Sequence, residues 1–256
     1  MKQIPNLFTL LNLVAGTLAI IFALQTDAIL ISQNDQLVSS FNLPEKLTWA
    51  GLCILIAAVI DFLDGFIARL MKATSELGKQ LDSLSDVVSF GVAPSVILYQ
   101  LLRFSYAREE GGIYISIIVL LPSILLACAA AWRLGRFNIS VNQQHSFIGV
   151  PVPAAGIFVA SLPLIMHFGE NPVVNDLIVN KWVLYLVIIV LSYLMVSRHR
   201  MLALKFSAFS LSKNWNIVAL AGIAVIAGIF LQWLAIPVTF IFYILFSLFS
   251  SKRNFS

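Results

Sequence analysis

The sequence predicts an all-α fold: a polytopic membrane helical bundle of about eight transmembrane helices, with the N- and C-termini cytoplasmic. Three observations lead there. The chain of 256 residues is 60% hydrophobic and only 11% charged, with a mean hydropathy of +0.94. Its apolar residues fall in repeated stretches long enough to cross a hydrocarbon core about 30 Å thick. Its basic residues collect in alternate loops, as cytoplasmic loops do.

Taken in order, the candidate spans are Leu7–Leu24, Leu47–Leu70, Leu84–Leu102, Ile113–Trp132, Ala154–Phe168, Trp182–Ser197, Trp215–Leu231 and Trp233–Ser250. With the N-terminus inside, Lys2, Arg69, Lys72, Lys79, Arg133, Arg136, Arg198, Arg200, Lys205, Lys213, Lys252 and Arg253 are all cytoplasmic, twelve of the 16 basic residues. Lys46, Arg103, Arg108 and Lys181 fall outside, where most of the remaining acidic residues accompany them. The net charge of +4 is thus a topology signal, with some attraction to an anionic leaflet, and no nucleic-acid partner is expected. The first apolar run follows a single charge and no small-residue cleavage site, so it reads as a retained helix. Cys53 and Cys128 lie within spans and read as small apolar residues, without a metal or redox role.

The loops are short, and one membrane domain over residues 1–256 is expected. Gln25–Lys46 on the outside shows little periodicity. On the cytoplasmic side lie Met71–Gln80, Arg133–Pro153 and Arg198–Asn214; the last begins with the basic, partly apolar Arg198–Lys205, read as an interfacial segment. Within Gly149-Val-Pro-Val-Pro153 the two prolines and the glycine break the chain before the fifth span. His145 reads as a solvated loop residue, and His167 and His199 as span-end residues.

Asp61, Asp64, Asp82 and Asp86 stand inside or beside apolar runs. An aspartate at the centre of a membrane helix costs roughly 2.5–3.5 kcal/mol on insertion scales, so four together call for cations and water rather than lipid. Asp61, Asp64, Gly65 and Ala68 recur at helical spacing on one face of the second span. Gly78, Asp82, Asp86 and Ser89 do so on the next helix. The short link Met71–Gly78 makes the two helices antiparallel neighbours, so the stripes face each other. Hard carboxylate oxygens suit Mg²⁺ or Mn²⁺. Two such ions about 3.5–4 Å apart clamp the attacking and leaving oxygens of a phosphoryl group. An ion pathway is the competing account, but all four carboxylates lie near one membrane face and no inverted repeat is visible. The small residues Gly65, Ala68 and Gly78 read either as ordinary helix packing or as room for a substrate. Arg69 reads either as a surface anchor or as a phosphate contact.

The string Asp61, Asp64, Gly65, Ala68, Arg69, Gly78, Asp82 and Asp86 is eight fixed residues over 26 positions, and it resembles the full signature of the CDP-alcohol phosphatidyltransferase family. Leu81–Ser95, Trp132-Arg-Leu-Gly-Arg-Phe-Asn138, Phe147–Gly156 and Tyr193–Ser197 further resemble the bacterial and archaeal type of phosphatidylserine synthase within that family. The resemblance runs from about Pro5 to Ser197, leaving 198–256 as two additional spans without a motif. It implies transfer of the phosphatidyl group from CDP-diacylglycerol to the hydroxyl of L-serine, releasing CMP. It also implies a homodimer, a multi-pass protein of the inner (cytoplasmic) membrane, and an active site facing the cytoplasm.

Carried over residue by residue, the resemblance makes Asp61, Asp64, Asp82 and Asp86 ligands of two divalent ions, with Asp86 also the base that takes the serine hydroxyl proton. Gly65 and Ala68 face the cytidine diphosphate, and Gly78 permits close helix approach. Asn6 and Thr9 resemble the family's N-terminal element; Asn6 reads either as a helix cap or as a nucleotide contact. Arg133 and Arg136, three apart on one helix face, read either as topological anchors or as holders of the serine carboxylate or lipid phosphate. The alternatives are the same chemistry on glycerol 3-phosphate, inositol phosphate or choline, and, from another class, an ion-coupled transporter or an inactive scaffold.

Overall fold

The computed structural model describes residues 4–25, 29–33, 36–40, 45–71, 75–108, 115–139, 147–169, 171–201 and 215–253. Lys2, Lys72, His145, Lys205, Lys213 and the greater part of the Arg198–Asn214 loop lie outside them.

Helix α1 (Ile4–Leu24) is followed by a ribbon of β1 (Ile29–Gln33) and β2 (Gln36–Ser40), and then by the 26-residue α2 (Glu45–Leu70). Next come α3 (Glu76–Asp86), a π-helical turn (Val87–Val92) and α4 (Ala93–Ala107), which together make one continuous 32-residue rod. Short α5 (Ile117–Leu120) runs through a 3₁₀ turn into α6 (Ile124–Ile139). After β3 (Phe147–Ile148) stand α7 (Val152–Phe168), α8 (Pro172–Val179), α9 (Lys181–Val196) and β4 (Arg200–Met201). The chain closes with α10 (Trp215–Leu231) and α11 (Ala235–Arg253).

The fold is helical, as the hydropathy requires, but two antiparallel ribbons depart from an all-α expectation. The first replaces the featureless loop expected between the first two spans. Its strands Ile29-Leu-Ile-Ser-Gln and Gln36-Leu-Val-Ser-Ser are rich in β-formers, and the register pairs Gln33 with Gln36. The second pairs Ile148 with Arg200.

Five helices among the described residues are long and apolar enough to cross a membrane, and six if α8 and α9, bent by 65°, form one span. Asn180 caps α9 at that bend and Asn171 caps the start of α8, each accepting from backbone N–H groups. Helix α7 is shorter, at 17 residues. The last apolar stretch, Val218–Leu248, is long enough for one span, yet it folds back on itself. Gln232 has φ of +49°, α10 and α11 pack together, and Leu220 and Ala224 line the same cavity as Thr239 and Tyr243. A straight helix would hold Leu220 and Tyr243 about 34 Å apart.

Outward faces are apolar at helical spacing, as with Leu7, Leu11, Val14, Leu18 and Ile21 of α1, the pattern of a surface solvated by lipid. Inside, α1 packs along α2 and against the α3–π–α4 rod, while α7 closes on α2. Small residues permit these approaches. A Cβ on Gly91 would meet Ala130 Cβ at 2.9 Å, and one on Gly156 would meet Phe90 Cα at 3.0 Å.

Gly149 sets the break before α7. Its φ is +74°, its N–H donates to His199 O at 2.9 Å, and an added Cβ would overlap Met195 O. Gly149→Ala is therefore expected to cost about 2–5 kcal/mol, the sum of left-handed strain and overpacking. A fall in the thermal midpoint of the detergent-solubilised protein checks this, and an unchanged midpoint would refute it.

Candidate active site

The site forms where α1, α2 and α3 meet. Ser75 caps α3, its hydroxyl accepting from Gly78 N at 3.0 Å. From that start the helical spacing carries Asp82 and Asp86 onto the face turned toward α1 and α2. Ligand oxygens of Asp61, Asp64 and Asp82 all lie within 4.8 Å of one another. At an effective dielectric near 20, two unit charges at that separation repel by about 3–4 kcal/mol. Three carboxylates so close together could hold a cation, and oxygen donors with no His or Cys in the group fit a hard divalent ion. Asp86 is not one of these three, although its carboxyl adjoins that of Asp61.

Helix α1 supplies the groups that orient these carboxylates. Thr9 Oγ1 reaches Asp64 Oδ2 at 3.1 Å and Pro5 O at 3.2 Å. Asn12 Nδ2 donates to Asp86 Oδ1 at 3.3 Å. All four residues are buried, Asp64 at 5% and Asp86 at 7% exposure. Donors to charged acceptors contribute more than neutral pairs, about 1.5–3 kcal/mol when well aligned, and these two long bonds sit toward the lower end. Ser85 Oγ to Thr9 O and Ser89 Oγ to Asn12 O, both 3.0 Å, stitch α1 to the rod. The π turn begins directly after Asp86; such turns insert an extra residue into a helix and are frequent at functional sites.

Beside the carboxylates opens a cavity of about 480 Å³, walled by residues of α1, α2 and the start of α3, including Asn6, Thr9, Asp64, Gly65, Ala68 and Arg69. Gly78, Lys79 and Asp82 complete it. Nothing lies within 4 Å of where a Gly65 Cβ would stand, so that glycine borders open space. Gly78 does the opposite: an added Cβ would come within 2.9 Å of Asn6 Oδ1. Helix α1 already runs from Ile4, so Asn6 lies in its first turn and does not cap it. Its side chain is turned instead toward Gly78 and the cavity.

Arg133 and Arg136 both reach a small cleft with Phe137, Ile148 and Met195, but their roles divide. Arg136 Nη1 donates to Val196 O at 3.1 Å, the exposed C-terminal end of α9. Arg133 instead has its Nε buried with no hydrogen-bond partner among the described residues. Helix α6 runs past Trp132 to Ile139, so both arginines are helical, and Asn138 Nδ2 ties it to Ser83 Oγ at 2.9 Å.

Sequence reasoning missed Asn12, Lys79 and Ser85. Asn12 had a signal: with Asn6 and Thr9 it forms a polar row in an otherwise apolar helix. Lys79 adjoins Gly78 in the signature.

A family model described as CDP-alcohol phosphatidyltransferase matches residues 2–193. The chain belongs to the CDP-alcohol phosphatidyltransferase family. Among curated relatives, a CDP-diacylglycerol–serine O-phosphatidyltransferase of Helicobacter pylori is 35% identical over 202 residues, covering 77% of this chain and 70% of the relative. One of Bacillus subtilis with the same name is 31% identical over 204 residues, covering 77% and 89%. An archaetidylserine synthase of Methanothermobacter thermautotrophicus is 29% identical over 170 residues, covering 65% and 60%. The family match ends within α9, before the α10–α11 hairpin.

Proposed function

We propose that this family member transfers the phosphatidyl group of CDP-diacylglycerol to the hydroxyl of L-serine, giving phosphatidylserine and CMP. The convergence of Asp61, Asp64 and Asp82 beside the 480 Å³ cavity carries the reading, and the printed names of the relatives supply serine as the acceptor. Two divalent ions, Mg²⁺ or Mn²⁺, held by Asp61, Asp64, Asp82 and Asp86 would offset the diphosphate charge and polarise the acceptor oxygen. The remaining work falls to the chain itself. Asn6, Thr9, Gly65, Ala68, Arg69 and Gly78 bind the cytidine diphosphate portion, with the α3 N-terminus and Lys79 adding positive potential.

Asp86, steadied by Asn12, receives the serine hydroxyl proton as that oxygen attacks the phosphorus bearing diacylglycerol. The bond from that phosphorus to the bridging oxygen breaks, and CMP leaves with its own phosphate. Arg133 takes the serine carboxylate. Eight crossings with the carboxylates at the cytoplasmic face of the inner membrane give soluble serine and CMP access while the lipid stays in the bilayer. The functional unit is a homodimer.

Purified protein assayed with CDP-diacylglycerol is expected to release CMP with serine and not with glycerol 3-phosphate, inositol phosphate or choline. EDTA is expected to lower the rate by at least about a hundredfold, with recovery on adding Mn²⁺ or Mg²⁺. No CMP release with any of these acceptors would end the enzyme reading; preference for another alcohol would end serine.

A further inference from the structure

Helix α6 packs on the π turn of the α3–π–α4 rod, and two contacts set the register of that seam. In the π turn, Gly91 lets the rod close on Ala130, whose Cβ would stand 2.9 Å from a Cβ added to the glycine. At the α3 end, Asn138 Nδ2 donates to Ser83 Oγ at 2.9 Å. The Ser83 hydroxyl in turn reaches Lys79 O at 3.2 Å and Asn138 Oδ1 at 3.3 Å. Ala130, Leu134 and Asn138 recur at every fourth residue and so share one face of α6. Ala130 is fully buried and Leu134 is 7% exposed. The seam is therefore apolar until its last turn, where it ends on the Asn138–Ser83 pair.

Two residues of the proposed reaction lie between these contacts. Arg133 falls between Ala130 and Asn138 on α6, and Asp86 falls between Ser83 and Gly91 on the rod. Asp86 is one helical turn from both Asp82 and Ser83. Asp82 lines the 480 Å³ cavity, whereas neither Ser83 nor any residue of α6 is among its walls. With the nucleotide on the cavity side, in-line displacement brings the acceptor oxygen to phosphorus from the opposite side. That is the side on which Ser83 meets α6. How α3 and α6 are set against each other then decides whether the base and the arginine engage one acceptor molecule.

We propose that Asn138 and Ser83 are positioning residues for the acceptor: their hydrogen bond closes the α3 end of the seam and holds Arg133 in register with Asp86. This rests on the reading of Arg133 as the group that takes the acceptor carboxylate and of Asp86 as the base. The pair touches neither substrate and acts through the two helices that carry those groups.

In the full-length protein, Asn138→Ala is expected to raise the KM for serine about three- to tenfold, the loss of one hydrogen bond. The KM for CDP-diacylglycerol is expected to stay unchanged, because its cavity is walled by α1, α2 and α3. Ser83→Ala is expected to do the same, and the double variant no more than either alone, since both remove one bond. Ser83→Thr returns a hydroxyl to that position and is expected to restore the serine KM. An unchanged serine KM in Asn138→Ala, an equal rise in both KM values, additive effects in the double variant, or a Ser83→Thr protein that behaves like Ser83→Ala would each overturn the proposal. Should the wild-type protein prefer another alcohol, serine falls as the acceptor, and the same KM split and cycle measured on that alcohol decide the role of the pair. A wild-type protein that releases no CMP with any alcohol ends the enzyme reading and this proposal with it.

Discussion

Asp86→Asn is expected to slow CMP release about a hundred- to ten-thousandfold, the range for losing a positioned base, while binding of CDP-diacylglycerol changes by no more than about threefold. The split follows from where Asp86 stands. It is outside the close group of Asp61, Asp64 and Asp82 and does not line the nucleotide-sized cavity. An amide of the same shape preserves the packing and can still accept from Asn12 at Oδ1. Asp61→Asn differs, because it removes one of the three converging carboxylates, and both turnover and binding are expected to fall. Radiolabelled CDP-diacylglycerol binding in detergent, beside a CMP-release assay, separates the two variants. Equal loss of binding in both would remove the distinct role of Asp86.

The carboxylate site was legible because two periodic rules act on few residues. Helical spacing put Asp61 with Asp64 and Asp82 with Asp86 on single faces, and the short link after Met71 left the two helices little choice but to face each other. The structure brings three of the four oxygens together accordingly. Hydropathy, by contrast, reports only the lipid-facing part of a helix. It starts the third helix at Leu84, whereas the helix begins at Glu76, and it ends the fourth at Trp132, whereas the helix continues to Ile139. The segments it omits are polar because they carry Gly78, Asp82, Arg133 and Arg136.

The paired arginines part company for a related reason. Three-residue spacing gives a shared face, but a side chain as long as arginine can choose among partners along it. Arg136 turns to the carbonyl of Val196 at the end of α9, while the Nε of Arg133 is buried with no hydrogen-bond partner among the described residues. Neither choice is written in local sequence. Nor is the reversal at Gln232, a residue with no special preference for positive φ. Only the packing of α11 against α7 and β4 requires it there.

Gly16→Ala is expected to be the most damaging single methyl group that can be added near the site. Its Cβ would overlap Ser89 Oγ and lie 2.6 Å from Ser89 Cα, whereas carbon atoms rest about 3.5–4.0 Å apart. Helix α1 must therefore retreat from the π turn by about 1 Å. Ser89 Oγ to Asn12 O and Asn12 Nδ2 to Asp86 Oδ1 lie one turn away, the second already 3.3 Å long, so the retreat frees Asp86. A misplacement of about 1 Å costs roughly a hundredfold in rate, and overpacking costs about 1–3 kcal/mol in stability. Ser89→Ala serves as the control. Alone it removes one hydrogen bond, a loss of about 1 kcal/mol. Combined with Gly16→Ala it is expected to restore nothing, because the backbone carbon of residue 89 stays in place. If the double variant recovers wild-type activity, the obstacle is the hydroxyl alone and the close approach of the two backbones does not set the position of Asp86.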